Sequence, residues 1–172
     1  MILDLRQFEH FPARAEVKGR PDEFSGLPDE VRKIREVTLR VAIQHSNDEY
    51  FCQGTVDASV DLECSRCLTE FATELSGKTD FIARSDATTG ATRRDVPDDE
   101  DYVLIHGNDL RADVTDIVRQ TMVLALSLKP LCSESCRGLC PMCGTNLNER
   151  SCNCHRQQVD ERWNGLRDLL NP

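Results

Sequence analysis

Nine cysteines stand in this 172-residue chain, and eight fall in closely spaced pairs: Cys64 and Cys67, Cys132 and Cys136, Cys140 and Cys143, Cys152 and Cys154. Cys140 and Cys143 bracket Pro141 and Met142 and are followed by Gly144. This spacing suits a zinc knuckle: a tight turn aims two sulfurs at one ion, nearby N–H groups hydrogen-bond the sulfurs, and glycine accepts the positive φ of such a turn. Thiolate pairs chelate zinc, and four of them close a tetrahedron.

Cys152 and Cys154 follow "GTNLNERS", a stretch of turn formers able to fold them back onto Cys140 and Cys143. That leaves Cys64 and Cys67 of "CSRC" to share a second ion with Cys132 and Cys136. Such a site would join the β region to the cysteine-rich segment and act as a staple across a long loop. An alternative partition puts Cys132, Cys136, Cys140 and Cys143 on one ion and pairs Cys64 and Cys67 with Cys152 and Cys154. One or two zinc ions are implied, and the local knuckle is the preferred arrangement. Cys52 lies alone in a strand pattern and reads as a small buried hydrophobe. His155 could replace a cysteine, but its position suits a surface imidazole; His10, His45 and His106 have no ligand spacing.

Zinc held by four thiolates has no open position, so it holds a shape and activates no water. Its net negative charge calls for nearby bases, and Arg66, Lys129, Arg137, Arg150 and Arg156 are the candidates, either beside the metal or on a nucleic-acid phosphate. Redox chemistry is the rival use of C-x-x-C pairs, since oxidation to a disulfide ejects the ion. A thioredoxin-like pair, however, opens a helix in a βαβ unit, whereas "CSRC" follows a strand pattern. The chain has no H-E-x-x-H, G-x-S-x-G, P-loop or dinucleotide fingerprint, so an enzyme, and with it a small-molecule substrate, is not expected.

The elements that must position these sulfurs are predicted as α+β. Residues 1–34, with Pro12, Pro21 and Pro28, read as an irregular lead-in that holds at most one early strand. Residues 35–130 form the antiparallel β region, a sheet or partly closed barrel. In "REVTLRVAIQ", Val37, Leu39, Val41 and Ile43 alternate with polar or small neighbours, the period of a half-buried strand, and "FCQGTVDASVDLEC" and "FATELSGKTDFIAR" continue it. Residues 85–101 read as an acidic loop, followed by a short strand at "YVLIHG". A helix is predicted over 113–128, with Asp113 as its N-cap, Val114, Ile117, Val118, Thr121, Met122 and Ala125 on one face, and Pro130 as its stop. Residues 131–172 form the zinc-knuckle segment and a short terminal helix presenting Trp163, Leu166, Leu169 and Leu170.

Charge narrows the partners. The formal net charge is −9, with eight acids and eight bases in residues 1–46, seventeen and seven in 47–128, and five and six in 129–172. That balance opposes indiscriminate attachment to phosphate backbones. No run approaches the roughly 18 apolar residues of a membrane span, and "MILDLRQFEH" is too charged for a secretory leader, so a cytoplasmic protein is expected. Thiols there stay reduced, which favours metal over disulfides.

"CSRCL" after a β region, an acidic loop, "DVTDIVRQTMVLALSLKPLC" and then "CSESCRGLCPMCGTNLNERSCNC" together resemble the YceD family of large ribosomal RNA subunit accumulation proteins. The resemblance runs from about Val37 to Leu170 and is most specific between Leu128 and Cys154. It implies a bacterial, non-enzymatic factor that supports accumulation of the large-subunit (23S) rRNA precursor. Its partners would be that RNA, a basic large-subunit ribosomal protein, or both, and the acidity of the chain suits the ribosomal protein. A redox-responsive zinc-binding regulatory or chaperone-like protein is the alternative.

Overall fold

The computed structural model describes residues 1–47, 49–85, 102–105 and 109–154. Its contacts divide into two compact units. One comprises Met1–Ser65 with Thr69–Cys132, and the other Arg66–Leu68 with the segment from Ser133.

The first unit is built on three long strands, β3 (Val31–Ser46), β4 (Glu49–Glu63) and β5 (Glu70–Ser85), paired antiparallel. Their register explains the alternation in the sequence. Leu39 lies opposite Val56 and Val56 opposite Gly77; Ile43, Cys52 and Phe81 form another row, and Val37, Ala58 and Leu75 a third. The side chains of these rows other than Gly77 point to one buried face, while Arg40, Thr55 and Lys78 form a row on the other. Register shifts between Val31 and Lys33 and between Ile34 and Glu36 mark irregularities in β3, the kind of feature that bends a strand and increases its twist.

The chain before β3 is more ordered than its prolines suggest. β1 (Ile2–Asp4), a 3-10 turn at Leu5–Gln7, β2 (Ala13–Gly19) and a second such turn at Pro21–Glu23 occupy the predicted lead-in. β2 pairs along β3 from Ala13 opposite Ile43 to Gly19 opposite Val37, with Arg14, Glu16 and Lys18 exposed. A seven-residue strand thus fits between Pro12 and Pro21 because neither proline has to donate within the ladder.

β6 (Tyr102–Ile105) joins the other edge in parallel, with Ile82 opposite Tyr102. The sheet order is β2-β3-β4-β5-β6, a curled five-stranded half-barrel, so the expected antiparallel sheet has one parallel member. β7 (Arg111–Asp113) pairs antiparallel with β1, burying Leu3 and Ala112 completely.

Helix α1 (Thr115–Ala125) buries Ile117, Val118, Thr121 and Met122. It is shorter than the predicted 113–128 at both ends. Asp113 belongs to β7 rather than standing at the cap, yet its carboxylate still accepts from the Thr115 N–H at 3.0 Å, while Val114 occupies the cap position. At the other end Leu124 and Leu128 are almost wholly exposed, so a further turn would gain no burial, and Leu126 is already extended. No helix among the described residues is long and apolar enough to cross a membrane.

The described residues of the second unit form turns, with one isolated antiparallel bridge between Leu139 and Asn146. Gly144 N–H donates to the Cys140 carbonyl at 2.9 Å, Cys140 N–H to Thr145 O at 2.8 Å, and Leu147 N–H to Gly138 O at 2.9 Å. Most of the acidic loop and the terminal helix, residues 86–101 and 155–172, lie outside the described residues, as does Arg156.

Candidate metal centre

β4 delivers Cys64 at its end, and the chain turns back into β5 with Cys64 N–H donating to Thr69 O at 3.0 Å. Ser65 N–H reaches the Pro130 carbonyl at 2.8 Å, which fixes the strand-end turn against the stretch leading to Cys132. Around Cys136, the Cys136 N–H donates to Ser133 O at 3.0 Å, and the Arg66 guanidinium donates to the Cys136 carbonyl at 2.9 Å. The sulfurs of Cys64, Cys67, Cys132 and Cys136 all lie within 4.8 Å of one another. Cys64, Cys67 and Cys136 are buried and Cys132 is exposed.

Cys140, Cys143, Cys152 and Cys154 form a second quartet with the same mutual limit of 4.8 Å. The turn 140–144 has the form its sequence implies: Gly144 has φ +71°, and the Cys140 carbonyl accepts from its N–H. Gly138 at φ +75° serves differently. A Cβ there would stand 3.1 Å from the Arg66 carbonyl oxygen, which also accepts from Leu139 N–H at 3.1 Å.

Both quartets fit a metal on chemical grounds. Four sulfurs about 2.3 Å from a tetrahedral ion sit about 3.8 Å apart, a spacing these clusters can close to with small movements. Each quartet can therefore hold a metal ion, and all nine cysteines are unbridged. The surroundings already favour thiolate at two positions. Cys143 lies 3.2 Å from the Thr145 hydroxyl, and that hydrogen bond, with the Thr145 amide, brings its thiol down to about 6. Amide donation from Cys143 and Met142 lowers Cys140. Cys154, beside the Cys143 sulfur, is pushed up to about 12, as thiols crowded on one centre must titrate against each other. Cys52 is apart from both quartets and 1% exposed, and burial raises its thiol to about 12.

The sequence-derived bases separate. Arg66 spends its guanidinium on the Cys136 and Glu134 carbonyls. Arg137 contributes its backbone N–H, at 2.7 Å from Asn148 Oδ1, and Arg150 its N–H to Asn146 O, while their side chains and that of Lys129 are exposed. Two residues that the spacing of cysteines could not reveal are Thr145 and Asn148. The Asn148 amide Nδ2 lies 3.3 Å from the Cys136 sulfur, so it restrains a candidate ligand directly. Their only signal was membership of the turn-rich "GTNLNERS".

An uncharacterized protein of Mycobacterium tuberculosis strain H37Rv is 30% identical over 172 residues, covering 99% of this chain and 75% of its own length. An uncharacterized protein of Mycobacterium leprae is 28% identical over 138 residues, 79% of this chain and 60% of that one. The Large ribosomal RNA subunit accumulation protein YCED homolog 1, chloroplastic, of Arabidopsis thaliana is 33% identical over 57 residues, 33% of this chain and 18% of its own. No solved structure matches. The family model described as "Large ribosomal RNA subunit accumulation protein YceD" matches residues 52–170, a span that contains both quartets, and the chain belongs to the YceD family.

Proposed function

We propose that this protein is a zinc-stabilised, non-enzymatic factor that supports accumulation and processing of the 23S rRNA precursor during large-subunit biogenesis in the bacterial cytoplasm. The observation that carries the reading is the family match over residues 52–170, which includes all eight paired cysteines. Cys64, Cys67, Cys132 and Cys136 hold one zinc; Cys140, Cys143, Cys152 and Cys154 hold the other. With four thiolates each, both ions are structural, and the chain acts by presenting a surface to precursor rRNA, to a basic ribosomal protein, or to both. Arg66, bonded to the Cys136 carbonyl, supports the ligand turns, while the exposed Lys129, Arg137 and Arg150 are the bases of this segment offered to phosphate.

The test is deletion of the gene followed by measurement of precursor and mature 23S rRNA, with rescue by the wild-type chain. Loss of the large-subunit species with the small-subunit species intact is expected; an unchanged rRNA profile removes the proposal.

The exposure of Cys132, Cys143 and Cys154 favours a second reading, in which oxidation switches the protein. Peroxide takes two electrons from a thiolate pair, forming a disulfide with reduction of the peroxide to water, and the ion leaves. Zinc retained under mild peroxide excludes it.

A further inference from the structure

Strand β5 is sixteen residues long, yet β6 pairs only with Ile82–Ser85 at its end. From Glu70 to Ser76 the side of β5 facing away from β4 has no backbone partner among the described residues. Alternate residues there turn N–H and C=O groups outward, a ready template for another strand.

The side chains of this open edge are of two kinds. Toward the core face point Phe71, Thr73 and Leu75, of which Phe71 and Thr73 are only half-buried. Toward the other face point Glu70, Ala72, Glu74 and Ser76, all exposed. Glu70 stands directly opposite Glu63 in the register, a like-charge pair that opposes sheet formation, and Arg32 meets it from one side only, at 2.6 Å from the Glu63 carboxylate. Glu74 lies opposite Ser59 and has no ion pair among the described residues. The edge therefore combines backbone unpaired among the described residues, a half-buried Phe71 and an excess of negative charge on a chain of net charge −9.

We propose that the β5 edge from Glu70 to Ser76 receives an extended basic segment of a partner protein as an added strand. Backbone pairing supplies the register, and the two faces dictate the sequence of the ligand. Lysine or arginine at alternate positions meets Glu70 and Glu74, which lie about 13 Å apart at about 3.3 Å per residue, with Ala72 leaving room between them for a long stem. Valine- or isoleucine-like residues at the intervening positions extend the apolar face over Phe71 and Thr73. A nucleic-acid backbone is disfavoured on this edge because its phosphates would meet the same two carboxylates. The inference does not depend on the ribosomal reading, since it concerns the surface and not the pathway.

The test uses the full metal-loaded chain and the synthetic peptide acetyl-Lys-Val-Arg-Val-Lys-Val-Lys-amide, with calorimetry for affinity and amide hydrogen exchange for location. The expected result is saturable binding that protects amides within Glu70–Ser76, weakened at least tenfold by the double substitution Glu70→Gln and Glu74→Gln. Because charge alone would attract any polycation, the same peptide with every amide N-methylated is the decisive control, and its affinity should fall at least tenfold. Equal binding by the methylated peptide overturns the proposal, as does a footprint elsewhere on the protein. So do strong protection of the Glu70–Ser76 amides before peptide is added, which would mean that the chain covers its own edge, and a footprint of single-stranded polyuridine on the same residues.

Discussion

Gly77 of β5 and Thr121 of α1 approach so closely that a Cβ on the glycine would stand 2.7 Å from Thr121 Cγ2 and 3.2 Å from the Thr121 carbonyl oxygen. The absent side chain is what lets the helix lie on the sheet. Thr121 is held in place from its own side, its hydroxyl donating to Ile117 O at 2.8 Å. Gly77→Ala is expected to destabilise the first unit by about 1–3 kcal/mol through overpacking. Adding Thr121→Ser, which keeps the hydroxyl and removes Cγ2, should recover part of the loss. Denaturant unfolding of the two variants measures both effects, and an unchanged midpoint in the single variant would contradict the packing.

Metal content separates the two quartets. The intact protein should carry two zinc ions, and Cys64→Ser and Cys140→Ser one each. Chelation under reducing conditions should release amide protection across residues 136–147 while the β3–β4–β5 ladder keeps its own. Elemental analysis with thiol counting reads the first result and hydrogen exchange the second; two ions retained in either variant would contradict the assigned ligands.

Arg66 tests whether the ligand turns are held from outside. Its guanidinium donates to the Cys136 carbonyl at 2.9 Å, and its own carbonyl accepts from Leu139 N–H. Arg66→Ala should weaken metal retention about tenfold or more, as loss of supporting hydrogen bonds does around other metal ligands. Competition with a chromogenic chelator gives the ratio. Gly138→Ala should act in the same direction, because its φ is +75° and its Cβ would press on the Arg66 carbonyl.

One acid-limb effect is expected at the first 3-10 turn. Asp4 is held at about 2 chiefly by its side-chain hydrogen bonds from Arg6, whose Nη2 lies 2.7 Å away. A carboxylate with a depressed pKa stabilises the fold above its ordinary pKa and loses that contribution as pH falls through the depressed value. The difference between wild type and Asp4→Asn should therefore shrink as pH falls from about 4 toward about 2. Titration of the Asp4 carboxyl by NMR checks it.

What could be read from residues alone divides along physical lines. Val37, Leu39, Val41 and Ile43 announced β3 because one face of the strand is buried and the other wet. β2 has the same alternation, but Ala13 and Ala15 are small, and the flanking Pro12 and Pro21 make the segment resemble an irregular lead-in with room for an early strand. The parallel seat of β6 depends on where a distant segment returns, which no local pattern encodes. Among the cysteines, C-x-x-C spacing identifies which two sulfurs can share an ion, whereas the choice between the two partitions is tertiary. In space the groups are 64, 67, 132, 136 and 140, 143, 152, 154. Thr145 and Asn148 stayed hidden because a side chain that merely steadies a sulfur has no spacing rule of its own.

The pairing of Ile2 with Asp113 has a consequence for synthesis. The hairpins β2–β3, β3–β4 and β4–β5 use neighbours that leave the ribosome in succession, so the central ladder can form while translation continues. β1 is made first and must wait for β7, more than a hundred residues later, before its backbone finds a partner. At about 5–20 residues per second that interval lasts several seconds, during which the backbone groups of Ile2–Asp4 that pair with Arg111–Asp113 in the finished fold must be satisfied by water.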